Sequence, residues 1–153
     1  MLKPKLSLKG RALRYLSMRE YSRLELARKL FPYADSEEEE LNRLLDWLEA
    51  SKFLSDQRFS EALVHKRQAR FGNQKILAEL QSHQLSKDDL CEIKAELQET
   101  ELQRAVDVLW RKFDAPPVDH REKAKQMQFL AQRGFSSRAI GYALRQNREQ
   151  EDS

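Results

Sequence analysis

The segment Asn73-Gln74-Lys75-Ile76-Leu77-Ala78-Glu79-Leu80-Gln81-Ser82-His83-Gln84-Leu85-Ser86 decides the fold. Ile76, Leu77 and Leu80 fall at helical spacing, with one N-cap candidate, Asn73, before them and another, Ser86, after them. The pairing of Leu80 with Ser86 recurs at a spacing of 50, as Leu30 before Ser36 and Leu130 before Ser136. Leu13, Leu63 and Phe113 keep the same offset, and Tyr21 with Phe71, Leu26 with Ile76 and Leu90 with Ile140 extend it pairwise. A period of that length is the mark of a helical repeat, whose units are too short to stand alone and must share apolar faces.

Outward from this segment the same punctuation continues. Ser22 with Glu25, Ser36 with Glu39, Thr100 with Gln103 and Asp119 with Glu122 have capping-box spacing, and Ser55 and Ser136 are further N-cap candidates. With a helix beginning near Ser7, nine helices are expected. Pro32, Gly72, Gly134 and Pro116-Pro117 fall between them, where a missing donor or a positive φ is tolerated. The expected organisation is three modules of three helices, residues 1–53, 54–98 and 99–148, followed by a tail, 149–153.

Composition agrees. Only eight of the 153 residues are β-branched, too few for a sheet, whereas Ala, Leu, Lys, Arg and Glu together number 81. The fold class is therefore all-α, with three tandem three-helix repeats in a shallow, elongated stack. An apolar fraction of 40% against 35% charged residues implies a thin core. No apolar run is long enough for a membrane span, and Met1–Gly10 lacks the apolar stretch of a signal peptide, so a soluble, cytoplasmic protein is expected, taken as a monomer. A single cysteine, Cys91, agrees with a reducing compartment, and its apolar neighbours predict a half-buried side chain.

Catalytic and metal chemistry find no support in the pattern. His65, His83 and His120 lack ligand spacing, no Gly-rich phosphate loop or nucleophile motif occurs, and no enzyme activity, metal or cofactor is expected. Trp47 and Trp110 lie beside Leu44, Leu45 and Leu48 and beside Val106, Leu109 and Phe113, which predicts packing positions, as for Phe53, Phe59 and Phe129.

Three segments, taken in order, carry a resemblance to a known family. Arg11-Ala12, Leu16, Arg19, Ser22, Glu25-Leu26 and Lys29-Leu30 resemble the family's opening pattern. Phe53-Leu54-Ser55-Asp56-Gln57-Arg58-Phe59, then Gly72, Ile76, Glu79-Leu80 and Ser86, resemble its middle. Lys125, Phe129-Leu130 and Arg133-Gly134-Phe135 resemble its last module. Ser55 stands where an Asp is usual, Asn73 where a Pro often follows the glycine, and Gln84-Leu85 where Gly-Ile is usual, which leaves the turn at residue 84 without its glycine. In these residues the chain resembles the RecX regulatory proteins, bacterial modulators of the RecA recombinase. The resemblance implies three tandem three-helix repeats forming an elongated, curved array, a regulator that lies in the groove of the RecA–DNA filament and lowers filament extension, ATP hydrolysis, strand exchange and co-protease activity, so modulating recombination, DNA repair and the SOS response.

The net charge of +3 conceals a partition. Met1 to Leu30 carry nine basic and two acidic residues, whereas Phe31 to Leu54 carry two and seven. Acids at Asp35 to Glu40 suit the N-terminal dipole of a helix. The basic candidates for a partner, or for single- or double-stranded DNA, are Arg11, Arg14, Arg19 and Arg23 in the first module and Lys66, Arg67, Arg70 and Lys75 in the second. Gly72 and Asn73 would present free N–H groups to a phosphate or partner carboxylate. Against this, a solvated helix end with Arg stems covering apolar surface has the same composition. The alternative function is a helix-turn-helix DNA-binding regulator, disfavoured by the acids at Ser36–Glu40 and Ser86–Asp89, where base-reading residues belong.

Overall fold

The computed structural model describes residues 6–35 and 37–146. Among them all regular structure is helical: α1 (Leu8–Met18), α2 (Arg23–Leu30), a 3-10 turn (Phe31–Tyr33), α3 (Glu38–Ala50), α4 (Asp56–Arg67), α5 (Asn73–Gln81), α6 (Lys87–Lys112), α7 (His120–Gln132) and α8 (Ser137–Arg145). They form two compact units, one of Met1–Leu63 with His83–Leu85, the other of Val64–Ser82 with Ser86–Ser153.

The caps explain most helix starts. Side-chain oxygens of Ser7, Ser22, Ser55, Ser86, Asp119 and Ser136 accept the N–H three residues on, at 2.8–3.2 Å. Ser36 lies outside the described residues; α3 opens with Glu38, Glu39 and Glu40 in its first turn, favoured there by the helix dipole. Two expected starts are corrected. Thr100 lies inside α6, which runs unbroken for 26 residues, so two expected helices are one. No Gly or Pro interrupts residues 87–112, and the Thr100 hydroxyl turns back to the Leu97 carbonyl at 3.4 Å as helical threonines do. Asn73 is not the cap of α5 but its first residue; Gly72 is the cap.

The first unit closes its core with Leu26, Leu30, Leu45, Leu48 and Leu54 around Ala12, all essentially without solvent contact. The second does so with Ala105, Val106, Leu109, Leu130, Phe135, Ala139 and Ala143. Burial of each leucine contributes about 2 kcal/mol before side-chain ordering is subtracted.

The 50-residue period reappears in the contacts. Ser22 hydrogen-bonds the His83 ring at 2.6 Å, and Gly72, fifty residues later, donates to the Arg133 carbonyl at 2.8 Å, each partner 61 positions on. Gln84 and Gly134 both hold positive φ, 55° and 89°, so the turn without its glycine keeps the left-handed geometry. Three packing expectations fail, at Phe53, which is 47% exposed, at Trp47 and at Cys91. Trp47 is 39% exposed, with Phe53 at 5.8 Å and the Lys9 ammonium 3.7 Å from its ring, because its place on α3 lies beside the buried stripe of Leu41, Leu45 and Leu48 and not within it. Cys91 is exposed on α6.

Candidate functional site

In the first unit the arginines divide by partner. Arg19, just past α1, grips the Glu25 carboxylate with two bonds of 2.8 and 3.0 Å and lies 3.7 Å from the Tyr21 ring. Donated by Arg19 and accepted by Glu25, these bonds raise the Arg19 pKa and lower that of Glu25. Arg23, at the start of α2, meets Asp46 at 2.7 Å and Glu49 at 3.1 Å on α3. Burial works against its charge, but these two carboxylates outweigh it and raise its pKa. Arg11 covers the exposed Tyr33 ring at 3.8 Å. Arg14 is exposed and has no ion pair among the described residues. The +7 and −5 segments thus partly neutralise each other through Arg23.

In the second unit Arg67 binds Glu79 with two bonds of 3.0 and 3.1 Å, which raise the arginine's pKa. Lys66 and Arg70 are exposed without ion pairs among the described residues, and Lys75 lies 5.6 Å from the Phe71 ring. Arg67 and Lys75 flank one groove, with Phe71, Ile76 and Ala78 as its apolar surface. Of the second group, the fold brings these two together.

The free N–H expected at Asn73 is occupied by the protein's own Glu101, whose Oε2 accepts it at 2.9 Å. Oε1 of the same carboxylate accepts the Ser136 hydroxyl at 2.6 Å, and Ser136 in turn caps α8. Arg104, one turn further along α6, is buried beside it. It donates to Thr100 Oγ1 and the Phe71 carbonyl, both at 2.9 Å, to the Leu97 carbonyl at 3.2 Å, and to the Asn73 side chain. Burial lowers its pKa and the Glu101 charge opposes that shift. The sequence expectations include no such network. Its signal lay in the sequence: Leu97, Glu101, Arg104 and Val108 share one helical stripe, and two charges in an otherwise apolar stripe require partners.

The network fixes a close crossing. The N–H groups of Gly72 and Gln74 donate to the Arg133 and Gly134 carbonyls at 2.8 and 3.1 Å, and a methyl group on Gly72 would overlap the backbone of Gly134 and Phe135. Gly72 keeps an ordinary φ of −81°; it is required for closeness, not for a positive φ. The crossing sets the Arg133 guanidinium 5.5 Å from the Phe71 ring and 5.1 Å from Phe129. Among the described residues no cluster of His, Cys, Asp or Glu could hold a metal ion, and no helix is long and apolar enough to cross a membrane.

Residues 99–144 match the family model for the third three-helix domain of RecX. The Regulatory protein RecX of Herbaspirillum seropedicae is 57% identical over 94% of this chain and 93% of its own length. That of Herminiimonas arsenicoxydans is 56% identical over 99% of this chain and all of its own, and one from Neisseria meningitidis is 37% identical over 94% and 93%. The crystal structure of RecX from Lactobacillus salivarius superposes with a TM-score of 0.75 at 20% identity, covering 90% of this chain and 92% of that one. With near-full-length identity at this level and the same all-helical fold, the chain belongs to the RecX family of regulatory proteins.

Proposed function

We propose that this protein binds the RecA–DNA filament and restrains it, lowering filament extension, ATP hydrolysis, strand exchange and co-protease activity, and thereby modulates recombination, DNA repair and the SOS response. The observation that carries the reading is family membership across the whole chain, with relatives named as regulatory proteins and not as enzymes. The proposed organisation remains three modules, 1–53, 54–98 and 99–148, acting as a cytoplasmic monomer. No carboxylate of the described chain takes up the charge of the contact candidates Arg11, Arg14, Lys66, Arg70 and Lys75, of which Arg11 and Lys75 lie over rings; Arg19, Arg23 and Arg67 are ion-paired within it. Direct contact of Arg14, Lys66 and Arg70 with DNA phosphates is part of the proposal. The test is titration of the purified protein into RecA on single-stranded DNA. Dose-dependent loss of DNA-stimulated ATP hydrolysis is the expected result; no effect at any ratio overturns the reading.

A further inference from the structure

The second unit carries an alternation of cations and rings that the basic residues alone do not reveal. Lys75 lies 5.6 Å from the Phe71 ring, Arg133 lies 5.5 Å from Phe71 and 5.1 Å from Phe129, and Lys112 lies 5.8 Å from Phe129. None of these three cations has an ion pair among the described residues. Attraction to the rings biases the three cations toward one strip, where their N–H groups are available to an anion. Beside Phe71 opens the groove formed with Ile76 and Ala78, its one carboxylate, Glu79, already neutralised by Arg67.

We propose that this strip, Phe71, Lys75, Lys112, Phe129 and Arg133 with the adjoining groove, docks an acidic segment of a protein partner that bears an apolar side chain next to its carboxylates. Charge complementarity selects the acids, and the groove selects the apolar neighbour. A nucleic-acid backbone supplies the charge but nothing for the groove. Each ring on which a base would stack is already engaged by two cations, and Phe129 also by the edge of Phe113 at 5.6 Å. The proposal deepens the reading above, and the partner in which it is tested is RecA.

Three forms of the protein separate the outcomes: wild type, Arg133→Ala and Ala78→Trp, the last filling the groove from an exposed position and leaving the fold intact. Each is titrated against RecA filaments on oligo(dT) and against the bare oligonucleotide, with thermal unfolding as the control. Both variants are expected to lose about tenfold to a hundredfold in filament affinity, the scale of a lost charge-assisted contact, with binding to bare oligonucleotide unchanged. Wild-type filament binding with no loss in either variant overturns the docking surface and leaves the regulatory reading standing. Equal loss on bare oligonucleotide for Arg133→Ala overturns the protein segment in favour of a phosphate backbone. Absence of wild-type binding to the filament overturns both.

Discussion

The carboxylate of Glu101 accepts the backbone N–H of Asn73 at 2.9 Å from a helix 28 residues away in sequence, and so caps α5 in place of a local side chain. The first unit uses the same device: Asp56 accepts the N–H of Arg23, first residue of α2, at 2.8 Å. Arg23 and Asn73 are fifty residues apart, so the repeat extends to how its helices are capped.

Because Glu101 also takes the Ser136 hydroxyl and balances buried Arg104, removing it leaves the Asn73 N–H and the Ser136 hydroxyl without this acceptor and the Arg104 charge without its balancing carboxylate. Glu101→Gln, which keeps the shape but turns one acceptor into a donor facing Ser136, is expected to cost about 1–3 kcal/mol, and Glu101→Ala about 3–5 kcal/mol. Urea unfolding measures both; a change below about 0.5 kcal/mol for the alanine variant contradicts the capping role.

Gln84 holds a φ of 55° at the turn where, fifty residues later, Gly134 holds 89°. A side chain in the left-handed region is strained, and glycine is not. Gln84→Gly is expected to raise stability by about 0.5–1 kcal/mol, since the relief of strain exceeds glycine's entropic cost, and a β-branched residue there is expected to lower it. The denaturant midpoint of the two variants is the measurement, and equal midpoints refute the account.

What could be read in advance follows from the range of the interactions. Ser7, Ser22, Ser55, Ser86, Asp119 and Ser136 act on an N–H three residues away, so spacing alone reveals them. Thr100 has the same spacing, but nothing before it breaks the helix, and propagation through Glu99 costs less than a new start. Trp47 and Cys91 show the limit of neighbour composition, which cannot say which side of a helix finds a partner. The basic residues were legible as charges. Their engagement by Glu25, Asp46 and Glu79 depends on tertiary placement, as does the assembly of Phe71, Phe129 and Arg133 from residues up to 62 positions apart.

Acid should weaken the Arg19–Glu25 pair in a defined direction. Glu25 is held below its ordinary value chiefly by the hydrogen bond from Arg19, partly offset by burial, with smaller help from the charges of Arg19, His83 and Lys29. A carboxylate with a lowered folded pKa stabilises the protein above its unfolded value of about 4.3 and loses that stabilisation as the pH falls through the folded value. Arg19, raised by the same bond, stays protonated throughout and sets no part of the acid window. With the Arg19 side chain 48% exposed the pair contributes about 0.5–1 kcal/mol. The stability difference between wild type and Glu25→Gln is expected to be present near about pH 6 and to shrink as the pH falls below the unfolded value and through the lowered folded one. A difference independent of pH would place the effect of the substitution elsewhere.

Two glycines should respond to alanine with opposite sign. At Gly72 the new methyl group meets the backbone of Gly134 and Phe135, which cannot move without breaking the bonds from Gly72 and Gln74 to the Arg133 and Gly134 carbonyls. Gly72→Ala is expected to cost about 3 kcal/mol or more and to disturb the Arg133–Phe71 contact that depends on the crossing. At Gly141, inside α8, the nearest atom to an added methyl is the far end of the Arg145 side chain at 3.0 Å, which can swing away. Gly141→Ala is therefore expected to gain about 0.5–1 kcal/mol by removing backbone freedom from the unfolded chain. Thermal or urea unfolding of the two variants decides the matter. A tolerated alanine at Gly72 would mean that the two segments do not approach as closely as their hydrogen bonds require, and the placement of Arg133 between Phe71 and Phe129 would lose its structural basis.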